Sequence, residues 1–351
     1  MEQKNDFLGR DPIGRLLWRM SLPAIVAQLI NLLYNLVDRV YIGHMPEDGA
    51  LALTGVGVCL PIIMIVSAFA ALVSNGGAPR ASMAMGKGDY DEAEKILGNS
   101  VALQIVISAV LTVLLLLFYR PLLLTFGASE NTIGFASDYM KIYAAGTVFV
   151  QLTLGMNAFI TAQGFAKVGM YTVLIGAAAN IVLDPIFIFG LFGVPKMGVV
   201  GAGIATVIGQ IVAALVVMRK AFVRSPEKSC YLLHIKRIYQ LGIPNILMQS
   251  AYTFYIFGLN MILAGFSDQA VTALGLYYKW QSFFFIPLGA LQTCIVPVIS
   301  FNYAAKDQER CKAVLKESLI AGMALMFLGT LCFEFLPVQM LSTFSKDAQV
   351  I

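Results

Sequence analysis

The stretch Gly176-Ala-Ala-Ala-Asn-Ile-Val-Leu-Asp-Pro-Ile-Phe-Ile-Phe-Gly190 places a carboxylate, Asp184, in the middle of an apolar segment. The segment has about twenty apolar residues, enough for a helix to cross the roughly 30 Å hydrocarbon core of a bilayer. Asn180 and Asp184 are four residues apart and therefore share one helical face. Pro185, like Pro23 in the first span, predicts a helix bend because proline has no backbone N–H to donate. A carboxylate at that depth costs roughly 2.5–3.5 kcal/mol and is typical of an ion site, although a structural polar cluster is the alternative.

The composition of the whole chain also favours a membrane protein. Of its 351 residues, 58% are hydrophobic and 13% are charged, whereas soluble domains carry about 25% charged residues. The apolar blocks are separated by short charged loops, which predicts an all-α polytopic membrane protein. A β-barrel would instead show alternating segments of about ten residues. The net charge of +4 lies in the loops and does not indicate a nucleic-acid partner.

The five cysteines are scattered and belong to no CxxC or Cys–His pattern. They therefore predict neither a disulfide framework nor a metal site, and we expect no cofactor. An intramembrane aspartyl protease built on Asp38 and Asp184 is disfavoured, because neither acid stands in a Gly-x-Gly-Asp context. We accordingly expect a protein without enzymatic activity. The N-terminus shows no cleavable signal pattern, so we expect the first span to be retained.

We predict nine membrane-spanning helices, with Pro61 inside the second. They cover approximately residues 16–43, 51–75, 101–119, 139–162, 170–192, 199–218, 239–265, 271–298 and 319–336. Eighteen of the 24 lysines and arginines lie in the N-terminus and in the loops that follow spans two, four, six and eight. The positive-inside rule therefore predicts a cytoplasmic N-terminus.

Two ordered blocks of sequence recur in the second part of the chain. Leu22-Pro-Ala-Ile-Val-Ala-Gln28 returns as Ile243-Pro-Asn-Ile-Leu-Met-Gln249, and Pro79-Arg-Ala-Ser82 returns as Pro297-Val-Ile-Ser300. Because six spans intervene, the two copies have the same orientation. Parallel repeats of this kind are typical of transporters.

The repeat predicts three parts of the chain. Residues 1–220 form an N-lobe with spans one to six, residues 221–238 a basic cytoplasmic linker, and residues 239–351 a partial C-lobe with spans seven to nine. Since the second copy has three spans and the first has six, we expect a C-terminally truncated form of a longer protein. The first lobe should be well packed and the second open along one side.

Span one carries a stripe of polar side chains. Asn31, Asn35 and Asp38 stand at i, i+4 and i+7 and therefore lie on one helical face. We predict that Asn31, Asn35 and Gln28 contact the substrate. The alternative for Asp38 is a simple pair with Arg39 near the outer interface, where a long basic side chain reaches water at little cost.

Spans four and six add further polar side chains, among them Tyr139, Asn157 and Thr206. Each alone is more often an interhelical hydrogen bond of roughly 0.6 kcal/mol than a site. Together with Asp38 and Asp184 they predict one wet cavity in the first lobe. Two neighbouring carboxylates in low dielectric cannot both ionise cheaply, so one should hold a proton or the pair should bind a cation.

In the second lobe, span eight carries Lys279 and Gln281 well inside the membrane. An intramembrane lysine indicates a charge partner or part of a substrate path, so we predict that both residues contact the substrate. The alternative is that the lysine stem reaches outward to the interface.

Several motifs resemble one transporter family. They are Leu36-Val-Asp-Arg-Val-Tyr-Ile-Gly43, Asn180-Ile-Val-Leu-Asp-Pro-Ile-Phe-Ile-Phe-Gly190, Gly198-Val-Val-Gly-Ala-Gly-Ile-Ala-Thr206, Lys279-Trp-Gln-Ser-Phe283 and Asn302-Tyr-Ala-Ala-Lys306. The chain is similar over essentially its whole length to the multidrug and toxic compound extrusion (MATE) family, in the bacterial branch that includes DinF-like and MepA-like proteins.

The resemblance implies a V-shaped bundle of two lobes that exports amphipathic, often cationic compounds in exchange for H⁺ or Na⁺. The ion-site positions of the family match Asp38, Asn180 and Asp184, which are also the candidate Na⁺ ligands. Tyr139 and Asn157 join the same network by position, and Thr206 is a further candidate.

We therefore expect a monomeric, multi-pass antiporter of the bacterial inner membrane, with H⁺ and Na⁺ both open as coupling ions. The alternative is a lipid or lipid-linked oligosaccharide flippase of the same superfamily. A flippase should present cavity-facing basic residues to a pyrophosphate, and Lys279 alone meets that requirement.

Overall fold

The computed structural model describes residues 7–46, 48–221, 231–266 and 268–342. Within these ranges the chain is helical, with no strand, which confirms the predicted all-α class. The helices are α1 (Phe7–Arg10), α2 (Ile13–Gly43), α3 (Gly49–Val58), α4 (Leu60–Gly86), α5 (Tyr90–Thr125), α6 (Ile133–Ala162), α7 (Ala166–Phe189), α8 (Val199–Ala221), α9 (Tyr231–Ala264), α10 (Asp268–Ala304), α11 (Gln308–Phe335) and α12 (Pro337–Ser342), with a 3-10 turn at Leu191–Gly193.

Among the described residues, eight helical segments are long and apolar enough to cross a membrane. They correspond to the predicted spans one to six, eight and nine, with α3 and α4 together forming the second. The seventh predicted span lies in α9, a helix of 34 residues with several side chains outside the described part. The polytopic architecture is thereby confirmed.

Most of the helices run further than the predicted spans, because backbone hydrogen bonding continues where the side chains turn polar. Helix α5 begins at Tyr90, well before the predicted start of span three, and Asp89 caps it by accepting a hydrogen bond from the Glu92 N–H at 3.0 Å. Helix α7 ends at Phe189, before the predicted end of span five, where Gly190 takes the left-handed conformation (φ 77°) that stops the helix.

Pro61 lies inside the second span, as predicted. The helix is interrupted there at Cys59, so that Pro61 stands in the first turn of α4. Proline is tolerated there because a first-turn N–H has no intrahelical acceptor. By contrast, α2 continues through Pro23 and α7 through Pro185, and the bends predicted for these helices stay predictions.

The sequence repeat has a counterpart in local geometry. Asp307 caps α11 by accepting from the Arg310 N–H at 2.9 Å, just as Asp89 caps α5. The residue before each cap has a left-handed backbone conformation, with φ 77° at Gly88 and φ 63° at Lys306. The same helix–turn–helix junction is thus built twice, which supports the predicted division into two lobes.

We call α2–α8 the N-terminal bundle and α9–α12 the C-terminal group. Most of the buried side chains belong to the N-terminal bundle, in which α6 is the most enclosed helix. In α11 the buried residues are few, namely Val314, Ser318, Gly322 and Gly329.

The N-terminal bundle and the C-terminal group meet at one end of the molecule. We call this the basic end, and Ile13, Gly86 and Gln308 lie there. Helix α4 packs on α9 and α10 there, and α2 packs on α10. The Phe301 carbonyl lies against Gly86 so closely that no Cβ would fit between them. The Arg310 guanidinium donates to the Leu8 carbonyl at 3.1 Å, so that α1 also closes this end.

Candidate functional site

A cavity of about 360 Å³ lies inside the N-terminal bundle, between α2, α4, α6, α7 and α8. Its polar lining residues are Asn31, Tyr34, Asn35, Asp38, Arg39, Ser67, Tyr139, Tyr143, Thr153, Asn157, Asn180, Thr206 and Gln210. The cavity therefore gathers the predicted polar residues of spans one, four, five and six. Its size falls in the range of pockets for drug-sized ligands, which is about 300–1,000 Å³.

Close packing of α7 on α8 forms one wall of this cavity. A Cβ on Gly209 would lie 2.8 Å from the Gly176 carbonyl oxygen, so the two helices can approach only because residue 209 has no side chain. Small residues at such crossings are common in membrane helices. The approach brings Asn180 of α7 to Thr206 of α8.

Asn180 is the centre of the polar network. Its amide Nδ2 donates to Asp184 Oδ1 at 3.2 Å and to Thr206 Oγ1 at 3.4 Å. Asp184 is fully buried and, unlike Asn180, does not line the cavity itself. The asparagine therefore links the buried acid to the cavity.

Five oxygens of this region are buried without a hydrogen-bond partner among the described residues. Three of them, Asp38 Oδ1, Asn180 Oδ1 and Asp184 Oδ2, come one from each predicted Na⁺ ligand, and the other two are Asn157 Oδ1 and Gln210 Oε1. Asp38 and Asp184 are near enough for their charges to interact. Buried acceptors without partners are costly, and a proton or a hard cation, which prefers oxygen ligands, would satisfy them.

A cluster of three or more His, Cys, Asp or Glu that could hold a metal ion does not occur in the described part of the chain. The donors of this site are instead two carboxylates and an amide. Such a set suits a proton or a monovalent cation, and it gives no support for a resident transition metal.

Two tyrosines of α6 form another wall. Tyr139 is buried, and its hydroxyl lies close to Asp38 and Thr206. Its ring stacks on Tyr143 with a centroid distance of 6.4 Å. Tyr143 and Tyr34 were not predicted, although their positions, four residues after Tyr139 and four before Asp38, place them on the same helical faces.

Asn31, Asn35 and Asn157 also line the cavity, as predicted for one shared polar cavity. The Asn157 amide donates to the Gly169 carbonyl at 3.5 Å and joins α6 to α7. Asn35 is exposed and donates to the Asn31 carbonyl at 2.7 Å. Arg39 is exposed and Asp38 is buried, and both side chains line the cavity.

Two predicted substrate contacts, Gln28 and Gln281, are not part of this lining. With its amide oriented to satisfy both partners, Gln28 donates to the Ile286 carbonyl at 3.2 Å and accepts from the Ala290 N–H at 3.3 Å. Gln28 thus joins α2 to α10 and is not part of the cavity lining. Gln281 lies in α10 and is also absent from the described lining. Lys279 lies in the same helix, and its side chain is outside the described residues.

Sequence comparisons find related transport proteins. A family model described as MatE matches residues 23–186 and 244–351. Over 349 residues the chain is 27% identical to the multidrug export protein MepA of Staphylococcus haemolyticus, covering 97% of this chain and 75% of that protein. Over 347 residues it is 26% identical to a protein of Shewanella oneidensis named FAD transporter, covering 97% and 76%.

Solved structures share the fold. A crystal structure of MATE in the bent conformation matches with a TM-score of 0.87 at 22% identity, covering 97% of this chain and 77% of that chain. A transporter of the MOP superfamily from Pyrococcus furiosus matches with a TM-score of 0.85 at 22% identity, covering 100% and 78%. The helix arrangement described above is therefore that of these transporters.

Proposed function

Because the chain belongs to the MatE family, we propose that it is a secondary antiporter that exports amphipathic, cationic compounds in exchange for H⁺ or Na⁺. Family membership makes it a multi-pass membrane transport protein and not an enzyme. Its relatives in Staphylococcus are named for multidrug export. A lipid flippase is not favoured by these relatives.

One observation carries the proposal: the buried pair Asp38 and Asp184 beside a polar cavity. The two acids belong to α2 and α7, which pack directly on each other. Burial of an acid favours its neutral or cation-bound form, because burial penalises the bare charge. The pair is therefore an ion-binding element that senses whether H⁺ or Na⁺ is available.

Ion binding at this pair has a direct route to helix shape. Asp184 accepts from the Asn180 amide through Oδ1, and a proton or Na⁺ at Oδ2 would weaken that bond because it reduces the negative charge on the acceptor. The next residue, Pro185, leaves the Ile181 carbonyl without its usual helical donor. Helix α7 is therefore easiest to deform beside the acid. An ion that binds one shape of α7 better than another shifts the population between them.

The cavity also suits the proposed substrates. Apolar side chains such as Leu60, Ile63 and Leu154 line it beside the tyrosines and asparagines. An amphipathic compound can bury its apolar body there while amides meet its polar groups. The carboxylate of Asp38 favours a positive charge on the compound, and this charge preference is part of the proposal.

The arrangement in the cell is likewise proposed. Residues 1–220 form the N-lobe, 221–238 the basic linker and 239–351 the C-lobe portion, in a monomer of the bacterial inner membrane with a cytoplasmic N-terminus. The duplicated junctions at Asp89 and Asp307 support the lobe division.

The proposal is tested by efflux from proteoliposomes under separately imposed proton and sodium gradients. We expect Asp184→Asn to abolish gradient-driven export of a cationic dye, because the variant binds neither a proton nor Na⁺ at residue 184. The matched control is Asp138→Asn, which removes a surface acid of α6 paired with Lys141 at 3.4 Å. The control should export at the native rate.

Normal export by Asp184→Asn under both gradients would show the coupling assignment to be wrong. FAD serves as the second substrate in the same assay, since one relative is named for it. Export of FAD in preference to the dye would overturn the cationic part of the proposal and leave the coupling part standing.

A further inference from the structure

A second cavity lies at the basic end, apart from the one in the N-terminal bundle. It has a volume of about 310 Å³ and lies between α4, α5 and α9. The lining residues are Arg80, Met83, Ala84, Lys87, Asp89, Glu92, Ile96 and Arg237. The cavity therefore spans the contact between the N-terminal bundle and the C-terminal group.

Two arginines face each other across this contact. Arg80 belongs to α4 and Arg237 to α9, and they are near enough for their like charges to interact. Arg80 Nη1 is buried and has no hydrogen-bond partner among the described residues. A buried guanidinium donor without an acceptor is costly, so an acceptor in this cavity would stabilise the contact.

The acids near the cavity do not fully balance these charges. The Asp89 carboxylate is engaged in capping α5 through the Glu92 N–H. Glu92 faces Arg80 and also lies 4.0 Å from Nδ1 of the buried His234. Exposed Lys87 adds a third cation to the lining. The cavity therefore presents three cationic side chains and only one acid that is not already engaged as a helix cap.

We propose that this cavity binds a phosphate group that bridges Arg80 and Arg237 and holds the N-terminal bundle against the C-terminal group. Arginine suits this ligand because its planar fork donates two hydrogen bonds to phosphate oxygens. The group comes either from an anionic phospholipid headgroup or from free phosphate. Bound phosphate stabilises the form of the protein that is closed at the basic end. This inference does not depend on the proposed antiport.

The test measures the thermal stability of the purified 351-residue chain in detergent with two probes, inorganic phosphate and a short-chain phosphatidic acid. A ligand that binds only the folded protein raises the apparent Tm. We expect Arg80→Gln and Arg237→Gln each to weaken the apparent affinity roughly tenfold or more, because each removes charge-assisted hydrogen bonds. The matched control Arg15→Gln removes an exposed arginine of α2 at the same end and should respond as the native chain does.

Arg237 is exposed, so its variant keeps the test decisive even if Arg80→Gln fails to fold. Stabilisation by both probes supports a phosphate site open to free phosphate. Stabilisation by phosphatidic acid alone supports the lipid headgroup as the source. Absence of stabilisation by both probes, or an equal loss of affinity in Arg15→Gln, would overturn the proposal.

Discussion

At the scale of single residues, Asn180 holds the proposed ion site together although it carries no charge. Its one amide group donates to Asp184 and to Thr206, and its own oxygen is left for a ligand. Without Asn180, Asp184 would lack a neutral neighbour that both donates and accepts hydrogen bonds. The asparagine therefore connects ion binding at α7 to the position of α8.

Asn180→Leu keeps the approximate volume and removes both hydrogen bonds. We expect gradient-driven export to fall roughly tenfold to a hundredfold, since a buried charged acceptor that loses its donor costs about 1.5–3 kcal/mol. The measurement is initial efflux rate in proteoliposomes. Asn131→Leu, at an exposed turn between α5 and α6, is the control. Equal rates in the two variants would refute the role of Asn180.

His234 gives a pH-dependent prediction outside the membrane-spanning segments. Burial lowers its pKa below the ordinary 6.5; nearby Glu92 raises it, while Arg80, Arg237 and Lys95 lower it further. The unfolded chain therefore binds a proton more readily than the folded one as pH falls through 6.5, and stability is lost on acidification.

We expect the native Tm to fall more steeply than that of His234→Gln as the pH is lowered from neutral through 6.5. The matched control is His44→Gln, since His44 is the other of the chain's two histidines and is exposed. Thermal unfolding in detergent at a series of pH values provides the measurement. If the Tm of the native chain falls no more steeply with decreasing pH than that of His234→Gln, the lowered pKa of His234 is contradicted.

Part of the site could be predicted from residue spacing, and part could not. Asp38, Asn180 and Asp184 were found because a polar residue in an apolar span is costly and therefore conspicuous. Gln28 looked equally polar on the same helix, yet it bonds to backbone groups of α10. Backbone acceptors have no sequence signature, so such a structural partner cannot be recognised before the fold is known.

At the scale of helices, the close contacts at the basic end depend on glycines of α4. The Phe301 carbonyl of α10 occupies the space that a side chain at Gly86 would need. Gly86 can be identified in the sequence, but its contact with Phe301 cannot be predicted there, because the two residues are far apart in the chain. The spans could be predicted from hydropathy because, unlike this contact, hydropathy is a local property of each segment.

Gly86→Ala should therefore destabilise the packing of α4 on α10. We expect a loss of roughly 1–3 kcal/mol, as for other overpacked positions, seen as a lower Tm. Gly134→Ala in α6 is the matched control, because its added Cβ meets no atom within 4 Å; alanine there should be neutral or stabilise by about 0.4–1 kcal/mol. A Gly86→Ala Tm equal to or above the control would contradict the contact.

At the scale of the whole molecule, the closed basic end and the cavity occupy different stretches of α2. In α2, Gln28 contacts α10, whereas Asn31 and the residues after it line the cavity. The molecule is thus closed where bundle and group meet and holds its polar cavity beyond that contact. The proposed antiport requires this contact to open, and ion binding at Asp38 and Asp184 has to influence that opening.

The most direct test of ion coupling at Asp38 and Asp184 is ion movement driven by substrate alone. Proteoliposomes are loaded with a cationic dye, with no proton or sodium gradient, and H⁺ and Na⁺ fluxes are recorded as the dye leaves. We expect the native protein to move H⁺ or Na⁺ in the opposite direction, and Asp184→Asn to move neither. Ion movement by Asp184→Asn at the native rate, or dye movement by the native protein without ion movement, would contradict the coupling.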